Sequence, residues 1–176
     1  RAFCVCDAGV RMTGIADQVK DILEKEEIAV FIFDGVLPDA PNDMVEGAGK
    51  LANDFGADLI LGIGGGSSLD TAKAISVLCD NPAPISQYYL SKGGVFKMET
   101  PLVLIPTSSG TGSEVTIMSV IHDAVSDAKE AVMRPANLAI VDPLLTVTAP
   151  PAVTAATALD ALSHAIEAYT SAGHTP

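Results

Sequence analysis

Apolar runs of strand length alternate along this chain with stretches whose apolar positions recur every three or four residues. The first run, residues 3–6, precedes a helical pattern with Ile15, Val19, Ile22 and Leu23 on one face. A strand over 28–33 follows, then a Pro-rich turn, Pro38-Asp39-Ala40-Pro41. Next comes a helix placing Val45, Ala48, Leu51, Ala52 and Phe55 together. Residues 58–63 form a continuous apolar run, as a central strand buried on both faces requires. It runs into Gly64-Gly65-Gly66-Ser67-Ser68 and a helix over 69–78, and 102–106 reads as another strand. Residues 116–121 and 130–133 can pair as a hairpin, and 138–142 make a last strand. From Pro150-Pro151 the pattern changes to an Ala-rich helix over about 154–169. Alternation of this kind predicts a parallel sheet flanked by helices.

Composition narrows the partners. The 176 residues carry 10 Lys and Arg against 22 Asp and Glu, a formal charge of −12. That balance excludes a nucleic-acid backbone as principal partner, because such binding needs a basic face. No apolar stretch is long enough to cross a membrane before Gly, Pro, Asp or Lys interrupts it. Three cysteines, two of them in one short strand, make no disulfide framework and fit a reducing cytoplasm. The chain opens on Arg1 in what reads as mid-strand, so further residues are expected upstream.

Four places could carry chemistry. Glycines between a buried strand and a helix let backbone N–H groups approach a phosphate, with the helix N-terminus adding partial positive charge. The spacing of Gly65, Gly66, Ser67 and Asp70 matches neither an ATPase phosphate loop nor the usual dinucleotide fingerprint. Ser67 and Asp70 also read as a capping box, and a tight turn without ligand remains the alternative. The loop Thr107-Ser108-Ser109-Gly110-Thr111-Gly112-Ser113-Glu114 follows another strand, where open α/β sheets bind ligands; it could equally solvate its own backbone. Asp7 ends the first strand, either as a ribose-binding acid or as a turn residue. Asp160 and His164 lie four apart on one helical face, as a metal-binding pair or as a surface pair. Leu159, Leu162, Ile166 and Tyr169 form a neighbouring stripe expected in a core. His122 and His174 read as solvated turn histidines.

Taken together, these blocks resemble the iron-containing (group III) alcohol dehydrogenase family. The resemblance rests on Phe33-Asp34-Gly35-Val36 with Pro38 and Pro41, on residues 63–74, on Ile105-Pro106-Thr107 with residues 110–114, and on Asp142-Pro143 through to Tyr169. It implies a Rossmann-like parallel-sheet dinucleotide-binding domain over 1–149. Residues 150–176 would then be the first helix of an all-helical metal-binding domain, in a truncated dehydroquinate synthase-like architecture. It implies NAD, with NADP as the alternative, and Fe²⁺ or Zn²⁺. The cofactor residues it implies are Asp7, Gly65, Gly66, Ser67, Asp70, Thr107, Ser108, Thr111, Lys129 and Thr146. Asp160 and His164 match two of four metal ligands and would be the catalytic pair.

The implied reaction interconverts a primary alcohol and an aldehyde by hydride transfer, in a cytoplasmic homodimer. The other metal histidines of the family lie beyond Pro176, so this chain by itself is expected to be inactive and, with an uncovered helix, aggregation-prone. A non-catalytic nucleotide-binding module and a glycerol dehydrogenase-like relative remain alternatives. The chain departs from the family at Asp39-Ala40, where Asn is usual, at Met118 and at Ala158.

Overall fold

The computed structural model describes residues 1–173; His174 lies outside the described residues. Five strands, β1 (Ala2–Val5), β2 (Val30–Phe33), β3 (Leu59–Gly64), β4 (Leu102–Pro106) and β7 (Leu138–Ala139), form one sheet in the order β2-β1-β3-β4-β7. Every pairing in it is parallel. Helices α1 (Ala8–Met12), α2 (Ile15–Lys25), α3 (Asn42–Phe55) and α4 (Gly66–Asp80) connect the strands. The strands β5 (Met118–Asp123) and β6 (Ala128–Met133) pair as a separate antiparallel hairpin, and α5 (Pro151–Thr170) closes the described chain.

Alternation along the strands builds two cores. Phe3, Val5, Ile60, Leu102 and Leu104 point to one face and pack with Ala48 and Ala52 of α3 and Leu69, Ala72 and Ile75 of α4. Ala2, Cys4, Cys6, Leu61, Ile63 and Ile105 point to the other and meet Ile15 and Ala16 of α2. A period of two on a sheet covered on both sides therefore yields continuous apolar strands. A third cluster joins α3 and α4 to the hairpin through Val45, Ala74, Val77, Leu78, Ile121 and Val132. Sheet on one side and hairpin on the other leave the middle of α4 buried almost all round.

Several expectations need correction. The second strand begins at Val30 and β7 ends at Ala139, so both edge strands are shorter than their apolar runs. Helix α4 starts at Gly66 with Gly65 as its N-cap and no side-chain cap, so Ser67 and Asp70 form no capping box. The stripe on α5 is not a core here: Leu159, Leu162, Ile166 and Tyr169 are 64%, 54%, 53% and 82% exposed. Cys4, Cys6 and Cys79 are free thiols. No helix among the described residues is long and apolar enough to cross a membrane.

Candidate functional site

From β1 the chain moves outward to β2, then returns to β3 on the opposite side of β1. The carboxyl ends of β1 and β3 thus flank a topological switch point, where open α/β sheets leave a crevice. Asp7 follows β1 and Gly65 and Gly66 follow β3. The two are tied together: Ser68 Oγ donates to Asp7 Oδ2 at 3.1 Å, while Asp7 Oδ1 accepts the Val10 N–H at 3.0 Å. Asp7 is therefore the N-cap of α1, a five-residue helix too short for periodicity to have signalled.

Two clefts open at this edge. A cleft of about 400 Å³ is lined by Asp7, Gly65, Thr107, Ser108, Thr148 and Pro150, among others. A larger one, about 600 Å³, is lined by Gly66, Ser67, Asp70, Thr111, Lys129, Asp160 and His164, together with Asp39, Met118 and Val120. The consecutive glycines 65 and 66 face one cleft each. A Cβ on Gly65 would lie 3.2 Å from Ser108 Oγ, and one on Gly66 would lie 3.0 Å from Thr111 Cγ2. The seam between the first turn of α4 and the Ser/Thr loop is therefore narrow, with little room for a Cβ at either glycine. The first-turn N–H groups of a helix lack intrahelical partners, so the seam is suited to an anionic group joining the two clefts.

The wall of the larger cleft is held by one buried network. Lys73, fully buried in α4, reaches Met118 O at 2.6 Å, Ser113 Oγ at 3.0 Å and Thr116 Oγ1 at 3.3 Å, with Asp70 Oδ1 at 3.5 Å. Asp70 in turn accepts from Ser113 Oγ at 2.7 Å and from the Val120 N–H at 3.2 Å. Burial pushes the Asp70 carboxyl up and the Lys73 ammonium down from their ordinary values, opposed by their hydrogen bonds and mutual attraction. Loop and hairpin are thereby fastened to α4. The sequence by itself assigns Lys73 no individual role. Its signal was a lone lysine inside a helix whose neighbours, Ala72, Ala74, Ile75 and Val77, are all core residues.

Helix α5 reaches the larger cleft through a second glycine device. A Cβ on Gly110 would collide with the carbonyl oxygen and Cβ of Thr157, so the Ser/Thr loop lies directly against the backbone of α5. One turn further, Asp160 and His164 open into the cleft with Oδ1 and Nε2 3.7 Å apart. A carboxylate and an imidazole so placed fit a divalent cation as two of its ligands. Among the described residues no group of three or more His, Cys, Asp or Glu could hold a metal.

Lys129, on β6, pairs with Asp39 Oδ1 at 2.9 Å at the rim of the larger cleft. Thr146 stands apart from both clefts in the turn Pro143–Thr146, its hydroxyl donating to Pro143 O at 2.8 Å. Thr148 and Ala149, just beyond it, line the smaller cleft. His122 sits on the hairpin 3.4 Å from Asp127, partly exposed.

Comparisons with known proteins agree with this geometry. The family described as iron-containing alcohol dehydrogenase matches residues 1–143. Long-chain-alcohol dehydrogenase 1 of Geobacillus thermodenitrificans is 44% identical across 93% of this chain and 42% of its own length. The NAD-dependent methanol dehydrogenase of Bacillus methanolicus is 39% identical across all of this chain and 47% of its own. The crystal structure of a 1,3-propanediol oxidoreductase superposes with a TM-score of 0.91 at 34% identity, over 99% of this chain and 46% of that one. The chain spans about half the length of the relatives it matches. With the parallel sheet, the switch-point glycines and the Asp160–His164 pair in place, the match over 143 residues settles the kinship: the chain belongs to the iron-containing alcohol dehydrogenase family.

Proposed function

We propose that this chain forms the dinucleotide-binding half of an NAD-dependent, metal-dependent oxidoreductase that interconverts a primary alcohol and an aldehyde. The observation that carries the proposal is the seam at Gly65 and Gly66, which joins a cleft holding Asp7 to a cleft holding Asp160 and His164. A dinucleotide laid across it would place its pyrophosphate against the first turn of α4 and its two nucleoside ends in separate clefts. In this reading residues 1–149 are the cofactor domain and 150–176 begin the metal-binding part. The relative from Bacillus methanolicus, named as NAD-dependent, supports the choice of NAD. Bound NAD and a divalent ion, Fe²⁺ or Zn²⁺, would supply hydride acceptance and polarisation of the alcohol oxygen respectively.

The chain's own residues bind and orient. Asp7 accepts hydroxyls of the adenosine ribose, and its charge opposes a 2′-phosphate, favouring NAD over NADP. Ser67 and the N–H groups of Gly66 and Ser67 hold the pyrophosphate, with Thr107 and Ser108 on the adenosine side. Thr111 and Lys129 face the nicotinamide ribose, and Asp70 acts by fixing the loop that carries Ser113. Thr146 acts through the turn that presents Thr148 and Ala149. Met118 and Val120 form an apolar wall that limits water around the reacting carbon. Asp160 and His164 would hold the ion, and no side chain of this chain is assigned as general base. Buried free thiols fit a cytoplasmic protein, and the whole protein is proposed to be a homodimer.

Calorimetric titration of NADH, then of Zn²⁺ or Fe²⁺, into this chain tests the proposal, alongside an assay with a short primary alcohol. Expected are saturable NADH binding, weak metal binding and no turnover. Absence of NADH binding overturns the cofactor reading. Turnover would show that two metal ligands suffice. A second reading, a non-catalytic nucleotide-binding module, draws on Asp160 and His164 belonging to no group of three metal-capable side chains among the described residues.

A further inference from the structure

Asp39 grips both strands of the hairpin at a single cross-strand position. His122 and Lys129 are register partners in β5 and β6. The backbone carbonyl of Asp39 accepts the His122 N–H at 3.1 Å, while its carboxylate takes the Lys129 ammonium at 2.9 Å. The His122 N–H also lies 3.3 Å from Ala40 O, and Pro41 makes an isolated parallel bridge with His122. The turn has little freedom to move away. Asp39 and Ala40 both hold left-handed backbone, with φ of 61° and 48°, and the fully buried Ala40 methyl packs in the cluster of Val45, Ile121 and Val132. Left-handed backbone is costly for residues other than glycine and persists where its surroundings over-determine it.

Both side chains are more than half exposed, Lys129 at 65% and Asp39 at 60%, but only the lysine has a long side chain to order when the pair forms. The carboxylate sits on an anchored turn, and the ammonium rises from the hairpin residue that faces the same anchor point. Lys129, with His122 as a minor contributor, holds the Asp39 carboxyl below the usual carboxylate range. Both residues line the larger cleft. The other acids of that cleft are Asp70, engaged by Lys73 and Ser113, and Asp160, beside His164. Lys129 is the lysine of this wall whose charge could be offered to an anionic ligand group, and Asp39 claims it.

We infer that Asp39 is a specificity-determining residue of the larger cleft: by neutralising Lys129 it turns that wall toward uncharged, hydroxyl-bearing ligands and against substrates carrying a carboxylate, sulfonate or phosphate. The inference rests on the oxidoreductase reading for which ligand enters the cleft. The charge relationship itself does not depend on bound cofactor or metal.

The test uses inorganic sulfate as the probe, titrated into the full chain and followed by amide chemical shifts of the hairpin, in wild type, Asp39→Asn, Asp39→Glu and Asp39→Asn with Lys129→Gln. Asp39→Asn should bind sulfate about fivefold more tightly than wild type, the order expected when a competing charge at contact distance is removed at a solvent-exposed site. Asp39→Glu should stay near wild type, and the double variant should lose the gain. Equal sulfate affinity in wild type and Asp39→Asn overturns the inference, as does a gain that survives Lys129→Gln. If Asp39→Asn fails to fold, Asp39→Ser decides: tighter sulfate binding than in Asp39→Glu is the supporting result, and equal binding overturns the inference. NADH titration of the same samples separates the two proposals, since a chain that binds no NADH yet shows this sulfate pattern loses its cofactor assignment and keeps its cleft charge.

Discussion

The carbonyl of Thr157 stands so close over Gly110 that no Cβ fits between them. This contact ties the Ser/Thr loop to α5, an otherwise exposed helix, and sets Asp160 and His164 over the larger cleft. Gly110→Ala should push α5 away. Amide exchange over 151–170 should then rise and Zn²⁺ affinity fall several-fold, while the sheet stays protected. Unchanged exchange and unchanged Zn²⁺ affinity would show that the contact does not position the pair.

Lys73→Met removes a fully buried cation from four partners and leaves Asp70 charged in a largely desolvated place. Breaking one side of a buried pair costs on the order of 3 kcal/mol. Urea denaturation should register a loss of that size, and adding Asp70→Asn should recover part of it. A loss below about 0.5 kcal/mol, the range of ordinary surface substitutions, would mean that the network does not secure the hairpin.

Asp7→Gly separates two roles of one carboxylate. As N-cap of α1 its loss should cost about 0.5 kcal/mol or less, since glycine also caps helices. As the acid of the smaller cleft its loss should narrow the ratio of NADP⁺ to NAD⁺ dissociation constants by roughly tenfold, a charge effect at a few ångströms. An unchanged ratio would remove Asp7 from the cofactor site.

Alkaline pH provides an independent check on the core. Burial pushes the Cys4, Cys6 and Cys79 thiols from 9.0 up to about 12, and Tyr89 from 10.0 to about 12. A folded-state pKa raised above the unfolded value means that unfolding releases protons within that window. Stability should therefore be intact below pH 9.0 and fall as pH rises from 9.0 toward 12. Urea midpoints under reducing conditions should show this decline, and Cys4→Ala with Cys6→Ala should flatten it. A slope that ignores the cysteine substitutions would contradict their burial.

Much of the architecture was legible in the chain. Strand-length apolar runs and a 3.6-residue period report directly on which faces are covered, so the parallel sheet, the hairpin and the Asp160–His164 face could be read from residues alone. Element ends were harder: β2 begins only where β1 offers it a partner, at Ala2, whereas β7 leaves the sheet two residues before β4 ends. Capping was misread at Ser67 because the backbone of Gly65 already begins α4, and Asp70 is drawn away by Ser113 and Val120.

What the sequence by itself determined is local: period, turn chemistry, charge balance and the ordered blocks that carry the family resemblance. Tertiary structure alone decided what those residues face. It made Asp7 a helix cap as well as a cleft acid, gave Lys73 its four partners 3 to 45 positions away, and set Asp39 against Lys129 across 90 residues of chain. It also left the apolar stripe of α5 exposed. The reason is physical: periodicity reports that a face is apolar or polar, whereas pairing between distant side chains depends on the packing of sheet, helix and hairpin that only the folded chain supplies.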